Sequence, residues 1–226
     1  ALHLGTLVAV VGYFRRDVAT YVVEGTKLVF QRKVPPTTEG KLAWLFVLAT
    51  LPAAAVGALF EDQIDNRLGT PMIIGISLIV FGVVLAIADR SLGRRRVEDF
   101  RARDALLVGA AQALALNPGT SRSGITMTAG RFLGFDRDAA VRISFVMSIP
   151  VIFGAVVFKF AGLISDGIPE GFAAPLVVGI ISSGLSGWLA VWGTIRIVRT
   201  RSFMPFVIYR IALGLVVLIL VFTGAR

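Results

Sequence analysis

The residues best suited to do chemistry lie together in one short stretch, Pro118-Gly-Thr-Ser-Arg-Ser-Gly-Ile-Thr126. A phosphate group needs several donors arranged around it. Thr120, Ser121 and Ser123 offer hydroxyls, Arg122 offers a guanidinium, and the backbone offers a run of N–H groups. Gly119 and Gly124 let the chain approach a ligand closely, while Ser121 and Ser123 fall where donors converge at a helix N-terminus. Thr126 comes about one turn later, on the side of Arg122. By residue type alone, a hydroxyl-rich stretch after Pro-Gly is equally a helix cap. What decides between the two is where the rest of the chain puts it.

Composition says that place is a membrane. Hydrophobic residues make up 56% of the chain and charged residues 16%, with a mean hydropathy of +0.81, whereas a soluble domain carries roughly a quarter charged residues. The net charge of +9 would suggest nucleic acid if the basic residues formed one patch. They sit instead in clusters between long apolar runs, as membrane topology requires, so nucleic acid is not a partner. With no cysteine, neither a disulfide framework nor a thiolate metal site is available.

A helix needs roughly 20 residues to cross the hydrocarbon core. Runs of that kind occur at Leu42 to Phe60, Pro71 to Ala88, Ile143 to Leu163, Ala173 to Val191 and Met204 to Thr223. Leu2 to Phe14 is apolar but short and follows no initiator methionine, so it reads as the tail of a span that begins upstream. On this reading residues 1–226 are one integral membrane domain, truncated at its N-terminus. Basic residues alternate along the chain: Arg15 to Lys41 and Arg90 to Arg103 read as inside, as does Arg196 to Arg201, whereas Glu61 to Arg67 and Ile164 to Phe172 read as outside.

One segment upsets this alternation. Between Arg103 and Ile164 lie two apolar stretches, and two crossings would return the chain to the wrong side. The conflict disappears if 105–133 dips into the membrane and returns as a re-entrant hairpin, leaving Arg131, Arg137 and Arg142 inside. Ala105 to Leu116 is too short to span and is broken by Asn117, Pro118 and Gly119, after which Ile125 to Leu133 restarts a helix. Non-helical backbone at that depth is tolerated only inside protein or along a polar cavity. Arg122 would then cost on the order of 2.5–3.5 kcal/mol to insert unless it is paired or faces an anion. This favours the anion site over the cap.

Other features carry less. Gln112 either points its amide into the cavity or satisfies the broken backbone. Arg210, a few residues into the last span, snorkels by default, with a second phosphate contact as the alternative. Gly179, Ser183 and Gly187 repeat every four residues, the pattern of close helix packing. Arg94-Arg95-Arg96 fixes orientation and meets anionic headgroups. Leu51-Pro52 with Gly57 and Phe60 faintly echoes Ile149-Pro150 with Gly154 and Phe158, as an internal duplication would.

The stretch Gln112 to Thr126 resembles the undecaprenyl pyrophosphate phosphatases, also called the bacitracin-resistance family, and matches their P-G-x-S-R-S-x-x-T signature without departure. LHLGTLVAVVGYFRR, LPAAAVGALF and SFMPFVIYRIALG extend the likeness over essentially the whole chain. The resemblance implies an all-α, polytopic membrane hydrolase of inverted-repeat architecture in the bacterial plasma membrane. Such an enzyme dephosphorylates undecaprenyl diphosphate, recycling the lipid carrier for peptidoglycan synthesis, cell-wall biogenesis and cell shape, with bacitracin resistance as a consequence. Two re-entrant hairpins would build one site, 105–133 being the second. Arg122, Ser121, Ser123 and Thr126 would be catalytic, and Gly119, Thr120, Gly124, Gln112 and Arg210 would contact phosphate.

The first hairpin should carry a glutamate-rich motif and a serine-and-histidine motif, and neither occurs in this chain. His3 lies in the helix that follows and is a helix-end residue. A divalent cation, Mg or Ca, is implied with its ligands in that first hairpin and none here, and the isolated fragment is expected to be inactive. The expected partners are a polyprenyl diphosphate and the membrane, with a homodimer allowed. A transporter or lipid flippase with a midplane anion site is the rival reading, since broken helices and inverted repeats serve transport equally well. A structural scaffold would leave Arg122 unexplained.

Overall fold

The computed structural model of the protein describes residues 2–31, 36–60, 69–166 and 171–224. Its helices are α1 (Leu2–Tyr13), α2 (Arg15–Phe30), α3 (Thr38–Leu48), α4 (Leu51–Leu59), α5 (Pro71–Asp89), α6 (Ala102–Ala113), α7 (Arg122–Phe132), α8 (Arg137–Asp166), α9 (Ala173–Thr200) and α10 (Met204–Thr223). Short 3-10 turns occupy Val97–Asp99 and Leu114–Leu116. Among the described residues there is no strand, only an isolated bridge between Arg95 and Phe135. The fold is all-α, as the sequence implies.

Among the described residues five stretches are long and apolar enough to cross a membrane: Thr38–Leu59, Pro71–Asp89, Arg137–Val157, Ala174–Thr200 and Met204–Thr223. Each contains most of a span expected from the sequence. Their outward faces are apolar, as lipid contact demands: Leu185 and Leu189 on α9 and Phe222 on α10 are all exposed. Within the basic segment that starts at Arg15, Arg15–Phe30 forms α2, a helix too rich in charge to register as an apolar run. One expectation needs correction. The third span begins at Arg137, six residues before its apolar run, because a helix once nucleated continues through polar residues that reach water. The outside segment Glu61 to Arg67 lies outside the described residues, as does part of Ile164 to Phe172. Pro52 starts α4 after a break at Ala49–Thr50, whereas Pro150 sits inside the continuous α8.

The chain divides into two compact units, 1–44 with 145–196, and 45–144 with 197–226. In the first, small residues bring α1 and α9 into contact. A Cβ on Gly5 would collide with Ser183 and the Ile180 carbonyl, one on Gly187 would lie 3.2 Å from Ala9, and one on Gly179 would lie 3.3 Å from Leu2. The four-residue repeat of Gly179, Ser183 and Gly187 is thus a packing stripe. Tyr13 meets Trp188 edge-on at 5.7 Å, and the Trp44 indole donates to the Gly25 carbonyl at 3.0 Å.

The second unit holds the hairpin. Helices α6 and α7 pack on each other, α6 also against α4 and α7 against α5, while α5 lies along α10. Close backbone approach makes this possible. A Cβ on Gly109 of α6 would strike the Ala49 carbonyl, and Gly75 and Gly214 let α5 and α10 meet at their backbones.

At the hairpin's base a polar network ties the ends together. Asp89, 6% exposed at the end of α5, accepts from Arg137 Nε at 2.6 Å and from the Phe203 N–H at 3.0 Å. Arg131 donates to the carbonyls of Phe135, Asp89 and Ser91. Arg95 donates to both Asp104 oxygens and to the carbonyls of Leu133 and Asp99, and lies 4.2 Å over the Phe135 ring. The hydrogen bonds it donates to Asp104 raise the Arg95 pKa above its ordinary value. Arg95 is therefore not a headgroup contact alongside Arg94 and Arg96: a fixed carboxylate and two carbonyls outcompete the lipid for its guanidinium.

These contacts predict opposite signs for two Gly→Ala changes. In Gly214→Ala the new methyl would lie 2.7 Å from Ile79 and 2.8 Å from the Gly75 carbonyl, so thermal unfolding in detergent should show a loss of about 1–3 kcal/mol. Gly154→Ala, with nothing within 4 Å, should gain up to about 1 kcal/mol from helix propensity. Equal effects would contradict the packing of α5 on α10.

Candidate anion-binding site

The hairpin breaks because its backbone cannot continue. Asn117 leaves the helical region at ψ 120°, Pro118 supplies no N–H, and Gly119 takes φ +87°. Gly119 also passes so close to α5 that a Cβ there would lie 2.6 Å from the Ile74 carbonyl. Ser121 follows with φ +68°, the one non-glycine residue with positive φ among the described residues. Such a conformation is strained for an L-residue and persists only where its surroundings hold it, most often at functional sites. Here the reward is local. Ser121 caps α7, its Oγ accepting from the Gly124 N–H at 3.2 Å, which leaves its own proton to donate elsewhere.

Arg122 is the first residue of α7 and is exposed, as is Ser121, and Ser123 is half-buried. The Arg122 guanidinium has no bonding partner among the described residues. The first-turn N–H groups of α7 point the same way out of the helix as any unpaired N-terminal donors. Ser121, Arg122 and Ser123 thus form a donor surface at a helix N-terminus, as the sequence suggests.

Arg210 does not snorkel. It is 6% exposed, and its Nη2 donates to the carbonyls of Gly119 at 2.9 Å and Thr120 at 2.6 Å. Desolvated carbonyls at the break attract the guanidinium more strongly than a distant interface does. Its Nη1 and Nε have no partner among the described residues. Nη1 fills the place where a Cβ on Gly124 would project, and Ser121 Oγ lies 3.2 Å from that same point. Gly124 therefore does more than admit a ligand: its missing side chain leaves the notch that Arg210 Nη1 fills, with Ser121 Oγ at its edge.

Gln112, on α6, is 3% exposed, and neither amide atom is hydrogen-bonded among the described residues, so it does not satisfy the broken backbone. Thr120 is fully buried and accepts from Asn117 Nδ2 at 3.3 Å. Thr126 is 1% exposed. Its hydroxyl lies 2.9 Å from the Arg122 carbonyl, 3.2 Å from the Ser123 carbonyl and 2.7 Å from Ser144 Oγ. In this arrangement Thr126 braces the first turn of α7 and presents no free donor.

Sequence reasoning missed three residues. Asn117 donates to Ser77 Oγ on α5 at 2.7 Å, latching the break to that helix, and Ser144 on α8 backs Thr126. Asn117 was legible as a helix breaker; Ser77 and Ser144 lie inside apolar runs and carry no local signal.

The gathered groups are cationic or neutral donors, which suits an anion. They do not suit a divalent cation, and among the described residues no three His, Asp or Glu side chains come together. Asp89 and Asp104 are engaged with Arg137 and Arg95. The described residues of this site therefore do not fit the implied Mg or Ca.

Filling the notch tests the geometry. Gly124→Ala should expel Arg210 Nη1, strand the Gly119 and Thr120 carbonyls and lower stability by about 1–3 kcal/mol in thermal unfolding. An unchanged melting temperature would mean that Arg210 does not occupy the notch.

Comparison with known proteins shows the family. Residues 1–216 match the family described as bacitracin resistance protein BacA. The chain is 45% identical to an undecaprenyl-diphosphatase of Pelobacter propionicus over 227 residues, covering 99% of this chain and 82% of that protein. It is 44% identical to one of Elusimicrobium minutum, covering 96% and 80%, and 42% identical to one of an Anaeromyxobacter species, covering 99% and 73%. With the match running over nearly its whole length and through the hairpin, the chain belongs to the bacitracin resistance protein BacA family.

Proposed function

We propose that the protein is an undecaprenyl-diphosphatase of the bacterial plasma membrane, and that the Gly124 notch binds the diphosphate of its lipid substrate. The observation that carries this is the pair of guanidiniums at the break. Arg122 stands exposed at the N-terminus of α7, and Arg210 holds Nη1 free beside Ser121 Oγ. Two such charges at a broken helix are costly without an anion.

The hairpin is re-entrant in this reading. Its 12-residue first arm extends about 18 Å, which brings the break to membrane depth without crossing. The terminal phosphorus is attacked by water, directly or through a transient covalent phosphoryl group. The bond from that phosphorus to the bridging oxygen breaks, giving undecaprenyl phosphate and inorganic phosphate, with the water proton released. Arg122 takes the charge that builds on the terminal oxygens, and the Ser121 and Ser123 hydroxyls donate beside it. Arg210, fixed by two carbonyls, serves the same anion from the opposite wall, with the Gln112 amide as a further contact. Thr126 acts through its brace on α7, a positioning role. The groups on this hairpin bind and stabilise phosphate, and none is a general base of suitable pKa.

Phosphate release from a long-chain polyprenyl diphosphate by the purified full-length protein tests the reading, with EDTA as the metal control. Arg122→Ala should lower kcat at least about 100-fold, the scale of losing a charge-stabilising donor, while the protein still inserts and folds. Retained turnover would remove Arg122 from the site. A folded wild-type protein that releases no phosphate, with or without added divalent cations, would support the transporter or flippase reading instead.

A further inference from the structure

The opposite end of α6 from the break, about 18 Å along the helix, carries a second concave site that the phosphatase chemistry does not use. It is a cavity of about 490 Å³ lined by Arg94, Arg95, Asp99, Arg101, Arg103 and Asp104. Its charges are already sorted. Asp104 is bound by Arg95 and by the Arg101 N–H, and Asp99 accepts from the Arg96 N–H at 2.8 Å. Arg95 is spent on Asp104 and on the carbonyls of Leu133 and Asp99. This leaves Arg94, Arg101 and Arg103, all exposed, with no bonding partner among the described residues. Three unpaired guanidiniums around one cavity mark a site for an anion with several oxygens.

We propose that this cavity binds the phosphate headgroup of an anionic glycerophospholipid on the basic, inner face of the membrane. Two features favour a lipid over a free phosphate. The cavity sits at the start of an apolar helix, where a headgroup would lie at the interface. One turn deeper, Leu106 and Leu107 are 48% and 44% exposed, stacked above Arg103 at i+3 and i+4. Arginines at the mouth and exposed leucines one turn in match an amphiphile's phosphate and acyl chain, whereas a free anion has no use for the leucines. Bound there, the lipid would pin the base of the arm that carries the break, which is otherwise held by Arg95 and Asp104.

Native mass spectrometry of the full-length protein in dodecyl maltoside reads this directly, with dioleoyl phosphatidylglycerol and dioleoyl phosphatidylcholine as probes and glycerol phosphate as competitor. Phosphatidylglycerol should bind at least about tenfold more tightly than phosphatidylcholine, given about 1 kcal/mol per basic residue near a lipid surface. The R94Q/R101Q/R103Q protein should lose that preference, and the R94K/R101K/R103K protein should keep most of it. Equal binding of the two lipids by the wild-type protein overturns the proposal whatever the variants do, as does a preference that survives the glutamine substitutions. Displacement of the lipid by an equal concentration of glycerol phosphate overturns the lipid assignment in favour of a soluble phosphate. Phosphate release from polyprenyl diphosphate, assayed on the same wild-type sample, keeps the two readings apart. Turnover without lipid preference defeats this site alone.

Discussion

A helix broken in the interior of a protein leaves carbonyls that water cannot reach, and each must find a donor within the protein. Here the donor comes from far along the chain. The Arg210 guanidinium crosses from α10 to the carbonyls of Gly119 and Thr120, and Asn117 reaches Ser77 from the other side of the break. Removing those bonds would leave the turn at Pro118 to Ser121 without support, and the strained φ of Ser121 would relax. The donor surface at the head of α7 exists only because that strain is held.

The same constraint explains the base of the hairpin. In the re-entrant reading proposed above, both arms return to one edge with their ends fixed, so that the break keeps its depth. Asp89 receives Arg137 and the N–H of Phe203, so a single carboxylate joins the end of α5 to the starts of α8 and α10. Arg95 joins the start of α6 to the end of α7. Because α10 also carries Arg210, the carboxylate at the base and the guanidinium at the break sit on one rigid connection along α5 and α10, where Gly75 and Gly214 allow backbone contact.

The large features were legible because they rest on local pattern. Asn117-Pro118-Gly119 announces a break, apolar run lengths announce spans, and Ser-Arg-Ser at a helix start announces donors. What escaped depends on distant residues. Nothing in Met204 to Thr223 says that Arg210 turns inward, since its partners lie about 90 residues earlier and snorkelling is the better guess for an arginine near a span's end. Ser77 and Ser144 look like ordinary polar interruptions of apolar runs. Helix α2 was hidden for a different reason: it is amphipathic, its charged face offsetting its apolar one, so it forms no continuous apolar run of the kind that marks a span.

The two arginines at the break differ in how they are held, and the difference bears on what each can do. Arg210 is buried and anchored through one amino group, so Nη1 is preorganised and costs little to align with a phosphate oxygen. Arg122 is exposed and unanchored, so its several rotatable bonds must be ordered each time it engages. An anion that reaches the site therefore finds one charge already aligned and must recruit the mobile one. If Arg122 tightens only as charge accumulates on the terminal phosphate, its interaction belongs to the transition state more than to the bound substrate. Loss of Arg122 should then fall mainly on kcat and leave KM comparatively unchanged, while loss of the Arg210 contact should raise KM as well.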